Sequence, residues 1–198
     1  MNFMAFFSYV LLMGFTPGPN NIMSMANASR YGFRRALPFN VGVFLGFGVL
    51  MSCCAAFSSS LYSAVPSIRP VMLCLGAAYM VWLAWGVLKS GFHGIEPNAK
   101  EGQARSLMLS AITMQFVNVK AIYYGLTVTA SFILPHYSGF LTLAGFMLLL
   151  AAIAFCSTLC WALFGAAFEH VFKKRSRATA AVMALLLVYC AVSMLRDL

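Results

Sequence analysis

Residues 3–28 read FMAFFSYVLLMGFTPGPNNIMSMANA. The run is apolar enough to enter lipid, yet it is interrupted by Thr16-Pro17-Gly18-Pro19-Asn20-Asn21. Pro17 and Pro19 each remove a helix hydrogen bond, and their rings clash with the preceding turn, freeing the carbonyls of Met13 and Phe15. The sequence therefore predicts a membrane helix broken near its middle. With Gly18 at the cap and Pro19 at the first helical position, the second half-helix is expected to present free N–H groups at Asn20, Asn21 and Ile22. They lie beside Thr16 and the two Asn amides. N–H donors for an anion next to carbonyl acceptors for a cation suit a zwitterion such as an amino acid. A kink that only shapes packing needs the prolines but not so many polar groups at membrane depth.

The rest of the chain agrees with a membrane solvent. Of 198 residues, 62% are hydrophobic and 9% charged, against about 45–50% and about 25% in a soluble domain. At about 20 apolar residues per span, the length accommodates six spans as one membrane domain over residues 1–198. Charges and Pro/Gly clusters mark these as Phe3–Ala28, Pro38–Leu61, Pro70–Leu88, Leu107–Leu134, Phe140–Phe168 and Ala178–Leu195. Each is too long for a barrel strand and lacks alternation, so the expected class is an all-α membrane protein.

Arg30, Arg34, Arg35, Lys89, Lys100, Arg105, Lys173, Lys174, Arg175 and Arg177 fall in loops on one side, and only Arg69 and Arg196 on the other. The positive-inside rule puts the larger set in the cytoplasm and both termini outside. These short clusters at span ends argue against nucleic acid as the partner of a chain with net charge +9. No basic residue precedes Arg30, so a cleaved signal peptide is not expected. The linker 89–106, carrying Gly91, Gly94, Pro97, Gly102, Glu96 and Glu101, separates halves at about 1–90 and 106–198. Three spans per half make span four antiparallel to span one, which predicts an inverted repeat with sites at interrupted helices in corresponding positions.

Span four carries Gln115, Asn118, Lys120, Tyr123, Tyr124 and Thr127. Lys120 is the only charged residue inside the span boundaries, and no Asp or Glu lies in any span. At ~1.5 Å per residue, Asn118 lies about 17 Å from Leu107, near the middle of a core about 30 Å thick. Lys120 is then deprotonated, water-exposed in a cavity, solvated by helix-end carbonyls, or paired with a ligand anion. In a regular helix Asn118 and Lys120 point about 200° apart, and only a local distortion lets both line one cavity.

Other features choose no function. Gly42-x-x-x-Gly46 reads as a close-packing motif, internal rather than dimeric. Tyr79, Trp82 and Trp85 read as core plus interfacial belt. His93, His136 and His170 form no metal constellation, and the Lys173–Arg177 cluster reads as an anionic-lipid contact. Cys53, Cys54, Cys74, Cys156, Cys160 and Cys190 read as buried structural thiols, without a C-x-x-C pair.

Thr16-Pro-Gly-Pro-Asn-Asn21, Gly32-Phe-Arg34, Gly42-x-x-x-Gly46, Gly76-Ala-Ala-Tyr79 and Gln115-Phe-Val-Asn-Val-Lys120 together resemble the LysE/RhtB superfamily of bacterial amino-acid exporters. Residues 115–135 and 185–192 are most similar to its cysteine/O-acetylserine branch. The resemblance implies an efflux carrier of the bacterial cytoplasmic (inner) membrane for small neutral amino acids, driven by the proton gradient, with Pro17, Gly18, Pro19, Asn118 and Lys120 as its functional core. Val119 stands where the family more usually has Pro. The expected substrate site is Thr16, Pro17, Gly18, Pro19, Asn20, Asn21, Gln115, Asn118, Lys120 and Tyr124. No catalytic residue, cofactor or metal is expected. The expected partners are an amino acid and membrane lipid, and the chain is compatible with a homo-oligomer. The competing readings are a membrane thiol oxidoreductase, a non-transporting partner subunit, and an exporter of another neutral amino acid such as homoserine or threonine.

Overall fold

The computed structural model describes residues 1–92, 102–167 and 176–196. All the regular secondary structure among them is helical. The helices are α1 (Phe3–Phe15), α2 (Pro19–Tyr31), α3 (Phe33–Ala56), α4 (Ser58–Phe92), α5 (Gln103–Val117), α6 (Val119–Thr127), α7 (Phe140–Ala167) and α8 (Ser176–Arg196). A π-helical turn, Val128–Ile133, continues α6. Most of the linker (residues 93–101), with His93, Glu96 and Glu101, lies outside the described residues, as do His170 and Lys173–Arg175.

The helix ends follow local chemistry. Asn2 Oδ1 caps α1 by accepting the Ala5 N–H at 3.1 Å. α2 begins at Pro19 behind Gly18, and it stops at Gly32, whose φ of 82° favours glycine. One boundary differs from the sequence reading. α3 ends at Ala56 and α4 starts at Ser58, so the break falls before Leu61, and α4 runs on through Pro66 and Pro70. Ser58, Ser59 and Ser60 follow the break directly, a residue type that favours helix starts over interiors.

α3 and α7 are each long and apolar enough to cross a membrane, and α5 with α6 and the π-turn forms a third such unit bent by 61° at Asn118. Glycines set how closely helices approach. A Cβ on Gly46 would lie 2.8 Å from Ile112 Cα, and one on Gly42 would meet the Met108 carbonyl, so this motif packs α3 onto α5 within the chain. Gly165 likewise lets α7 lie against the Met25 carbonyl of α2.

Two apolar cores result. One joins α1, α3, α6 and α7 around Phe6, Met51, Tyr124 and Leu150. The other joins α2, α3, α4, α5 and α8 around Ile22, Phe39, Met80, Met114 and Leu187. Large apolar side chains cover the outside, with Met4 81% and Leu141 84% exposed, as a lipid solvent requires. Of the aromatic trio in α4, Tyr79 packs against the second core, while Trp82 and Trp85 are about two-thirds exposed. Of the six thiols only Cys54 is buried, and Cys74, Cys156 and Cys160 face outward. In lipid a small apolar side chain gains little from burial between helices, so thiols need not point inward.

Candidate functional site at two facing helix breaks

The break between α1 and α2 can be accounted for carbonyl by carbonyl. Leu12 O accepts the Thr16 N–H at 3.1 Å. Met13 O, freed by Pro17, accepts the Thr16 hydroxyl at 3.1 Å. Gly14 O accepts Asn21 Nδ2 at 2.9 Å and lies 2.9 Å from Ser157 Oγ. Phe15 O, freed by Pro19, accepts the Trp161 indole N–H at 3.2 Å. Thr16 O accepts Asn21 Nδ2 at 3.0 Å and Lys120 Nζ at 3.1 Å. Pro17 O accepts Lys120 Nζ at 3.3 Å. Every carbonyl from Leu12 to Pro17 thus has a partner, which makes a broken helix tolerable at membrane depth.

The donor side is different. The Ile22 N–H donates back to Gly18 O at 2.9 Å, which corrects the expectation that it is free. A normal first helical bond takes it. The N–H groups of Gly18, Asn20 and Asn21 have no hydrogen-bond partner among the described residues. They form the vacant, positively polarised end of α2.

Span four breaks opposite, without a proline. Asn118 has φ −81° and ψ 92°, and its Oδ1 accepts the Ala121 N–H at 3.3 Å to cap α6. Asn caps a helix start better than it continues one, because its side chain competes for backbone donors. The break turns Asn118 and Lys120 to the same cavity.

Lys120 is half-buried, with Nζ 2.8 Å from Thr16 Oγ1 in addition to the two carbonyls. Of the alternatives open for it, this is solvation by helix-end carbonyls. Its side chain lies across Gly18, where a Cβ would sit 3.1 Å from both Cδ and Nζ.

An amide cluster ties the breaks together. Asn20 Nδ2 donates to Gln115 Oε1 at 2.9 Å, and Gln115 Nε2 donates back to Asn20 Oδ1 at 3.1 Å and to Ala111 O at 2.8 Å. Asn118 Nδ2 reaches the same Asn20 oxygen at 3.3 Å.

Between the breaks lies a cavity of about 50 Å3. Of the ten expected site residues, Gly18, Asn20, Asn21, Asn118, Lys120 and Tyr124 line it. Thr16, Pro17, Pro19 and Gln115 do not. Thr16 and Pro17 reach it only through Lys120, Pro19 sets the start of α2, and Gln115 is fully buried behind Asn20. Met13, Phe47 and Ile153 supply an apolar wall, and Tyr124 is stacked on Tyr9, with ring centroids 6.0 Å apart.

The sequence reading missed the contribution of α7. Ser157 Oγ lies 3.2 Å from Asn21 Oδ1, and Thr158 lines the cavity. Ser24 Oγ, between α2 and these residues, lies 2.5 Å from Asn40 Oδ1 and 2.8 Å from Thr158 O. Ser157, Thr158, Ser24 and Asn40 are all buried. The available signal was Asn40 in a span otherwise apolar around it and the Ser-Thr pair inside span five. No group of His, Cys, Asp or Glu among the described residues could hold a metal ion.

Two facing breaks whose half-helix starts meet at one polar cavity, in a chain with helices apolar enough to cross a membrane, are the construction of a membrane transport protein. A model of LysE-type translocators matches residues 11–198, and the chain belongs to that family of integral inner-membrane amino-acid translocators. It is 40% identical over 190 residues, 95% of this chain and 94% of theirs, to proteins named "Cysteine/O-acetylserine efflux protein" from Escherichia coli (strain K12) and Shigella flexneri. A protein of the same name from Escherichia coli O1:K1 / APEC is similar to the same extent. No solved structure matches the chain.

Proposed function

We propose that the protein is a secondary exporter of small neutral amino acids, cysteine and O-acetylserine among them, driven by the proton gradient and working by alternating access. The observation that carries this reading is the pairing of N–H donors at Gly18, Asn20 and Asn21, which line the cavity without a partner among the described residues, with carbonyl acceptors at Thr16 and Pro17 that meet the cavity through Lys120. The substrate carboxylate sits on the donors, where the α2 start favours negative charge. Its ammonium sits on the oxygens of Thr16 and Pro17. Met13, Phe47 and Ile153 take a small, weakly polar side chain. Pro19 fixes the α2 start, while Gln115 holds Asn20 in position and Tyr124 closes the wall. The names of the relatives support cysteine and O-acetylserine over homoserine or threonine.

The same reading includes six spans, both termini outside, and two inverted three-helix repeats. Gly18 and Asn118 each precede a second half-helix. α2 packs on α7 while α5 packs on α3, and α4 pairs with α8. This is the cross-pairing expected when a pseudo-two-fold exchanges the halves. Efflux of labelled amino acids from cells with and without the protein tests it. Cysteine and O-acetylserine should leave faster, and amino-acid amides and decarboxylated amines should not compete. Equal competition by amides would remove the carboxylate site. A variant without any Cys should still export, whereas a thiol oxidoreductase would lose its function.

A further inference from the structure

The oxygens proposed for the substrate's ammonium already hold one. Lys120 Nζ lies 2.8 Å from Thr16 Oγ1, 3.1 Å from Thr16 O and 3.3 Å from Pro17 O. These are three acceptors for three N–H donors, the same set an amino acid's α-ammonium carries. Resting on the substrate site proposed above, the amino acid and Lys120 require the same oxygens, and two ammonium groups cannot share them.

Among the described residues a displaced Lys120 has no anion to turn to, since none of them is Asp or Glu. α2, α3 and α7 present neutral groups to the cavity. The titratable groups around Lys120 are Cys190 of α8, within its electrostatic reach, and Tyr124 of its own helix, with Tyr9 of α1 stacked on that ring. An ammonium stripped of its acceptors at this depth sheds its proton rather than hold an unsolvated charge.

We propose that Lys120 is an internal surrogate for the substrate's ammonium and, through that exchange, the proton carrier of the transport cycle. On the cytoplasmic side the zwitterion's ammonium takes the Thr16 and Pro17 oxygens, and Lys120 gives its proton to cytoplasmic water. The loaded carrier turns outward with a neutral Lys120. Outside, the amino acid leaves, Lys120 takes a proton from external water and drops back onto the three oxygens. The empty carrier then returns. One amino acid has moved out and one proton in, with charge conserved at each step. The positive charge moves inward on the return, the direction the membrane potential favours. Proton coupling thus needs no carboxylate in the membrane.

The test uses the purified full chain in liposomes with a trapped pH dye, L-cysteine under reducing conditions, and two modes of transport. Wild type should move one proton against each cysteine in net flux. Lys120→Met should lower net flux at least about 100-fold and abolish the dye response, while cysteine–cysteine exchange, which never needs the empty return, stays within about tenfold of wild type. Cysteine binding should release a proton from wild type in weakly buffered detergent solution and none from Lys120→Met. Lys120→Gln, which keeps amide donors on the oxygens, provides a second folded variant and should also exchange without proton release. Net flux and exchange lost together in both variants, with binding gone, would make Lys120 a plain substrate ligand and overturn the proposal. Unchanged proton stoichiometry in either variant would overturn it too. If wild type itself moved no amino acid, the substrate reading would fall and take this assignment with it, an outcome distinct from the losses confined to the variants.

Discussion

Replacing Pro17, Gly18 and Pro19 together by Ala should rejoin α1 and α2 into one helix. Relative to Ala, each proline disfavours a helix interior by about 3 kcal/mol and glycine by about 1. The change therefore shifts the local balance by roughly 7 kcal/mol toward helix. Opposing it are the bonds the break makes. Asn21 Nδ2 to Gly14 O and Thr16 O, Trp161 to Phe15 O, and Ser157 to Gly14 O contribute about 1 kcal/mol each. The Lys120 ammonium on Thr16 O and Pro17 O adds about 1.5–3 for each charged bond. The loss, roughly 7–10 kcal/mol, nearly cancels the gain. New backbone bonds from positions 18, 20 and 21 to Gly14, Thr16 and Pro17 then tip it toward the continuous helix by about 1 kcal/mol each. Those are the donors assigned to the carboxylate. Three charge-assisted bonds lost predict at least about 100-fold weaker binding, with the thermal midpoint in detergent unchanged or raised. Binding would be read by titrating labelled cysteine onto the purified variant. An affinity within about threefold of wild type would refute the half-helix site and leave the break as a packing kink.

Gln115→Leu should orphan Asn20 in the amide cluster and lower stability by about 1–3 kcal/mol, read as a lower thermal midpoint together with weaker cysteine binding; an unchanged midpoint would deny the cluster its role. Asn118→Ala removes the α6 cap and should lower stability by about 1 kcal/mol while straightening span four, measured by the same unfolding scan and by efflux. Gly46→Leu presses a side chain into the α5 backbone, so it should reduce the yield of monodisperse protein sharply, whereas Gly86→Leu, with open space around it, should not. In a Cys-free background, a cysteine at Ser138 should react with impermeant reagent from outside and one at Ser106 should not; the opposite pattern would invert the proposed topology.

What the sequence made legible was backbone chemistry. Two prolines around a glycine have one reading inside an apolar run, and the break lies where they predict, between Phe15 and Pro19. Lys120 stood out because a lone charge at membrane depth demands an account. The second break was hidden because Val119 carries no prohibition. Its cause is Asn118, whose side chain caps α6, and an Asn that breaks a helix is written like one that merely points into a cavity. Which amides face the cavity was also illegible. Asn20 and Gln115 satisfy each other across 95 positions of sequence, and no local spacing shows such a pairing. The start of α4 at Ser58 differs from the expected spans Pro38–Leu61 and Pro70–Leu88 because a membrane helix tolerates prolines such as Pro66 and Pro70 in its interior.

The site proposed here treats the two ends of an amino acid unequally. Its carboxylate end meets three N–H groups without an internal partner, fixed by a rigid proline-started helix, so that end binds to a surface already formed. Its ammonium end meets oxygens that Lys120 already occupies, so binding there is an exchange whose net gain is small. On that proposal, affinity and selectivity for a free carboxylate reside in α2, and the link to a driving ion resides in α6. The amide cluster of Asn20, Gln115 and Asn118 joins those two helices directly. On the proposed cycle, a movement of one half against the other would act on this cluster, beside the place where substrate and Lys120 compete. A carrier must couple the occupancy of its site to the arrangement of its halves, and this cluster brings the two together within a single layer of side chains.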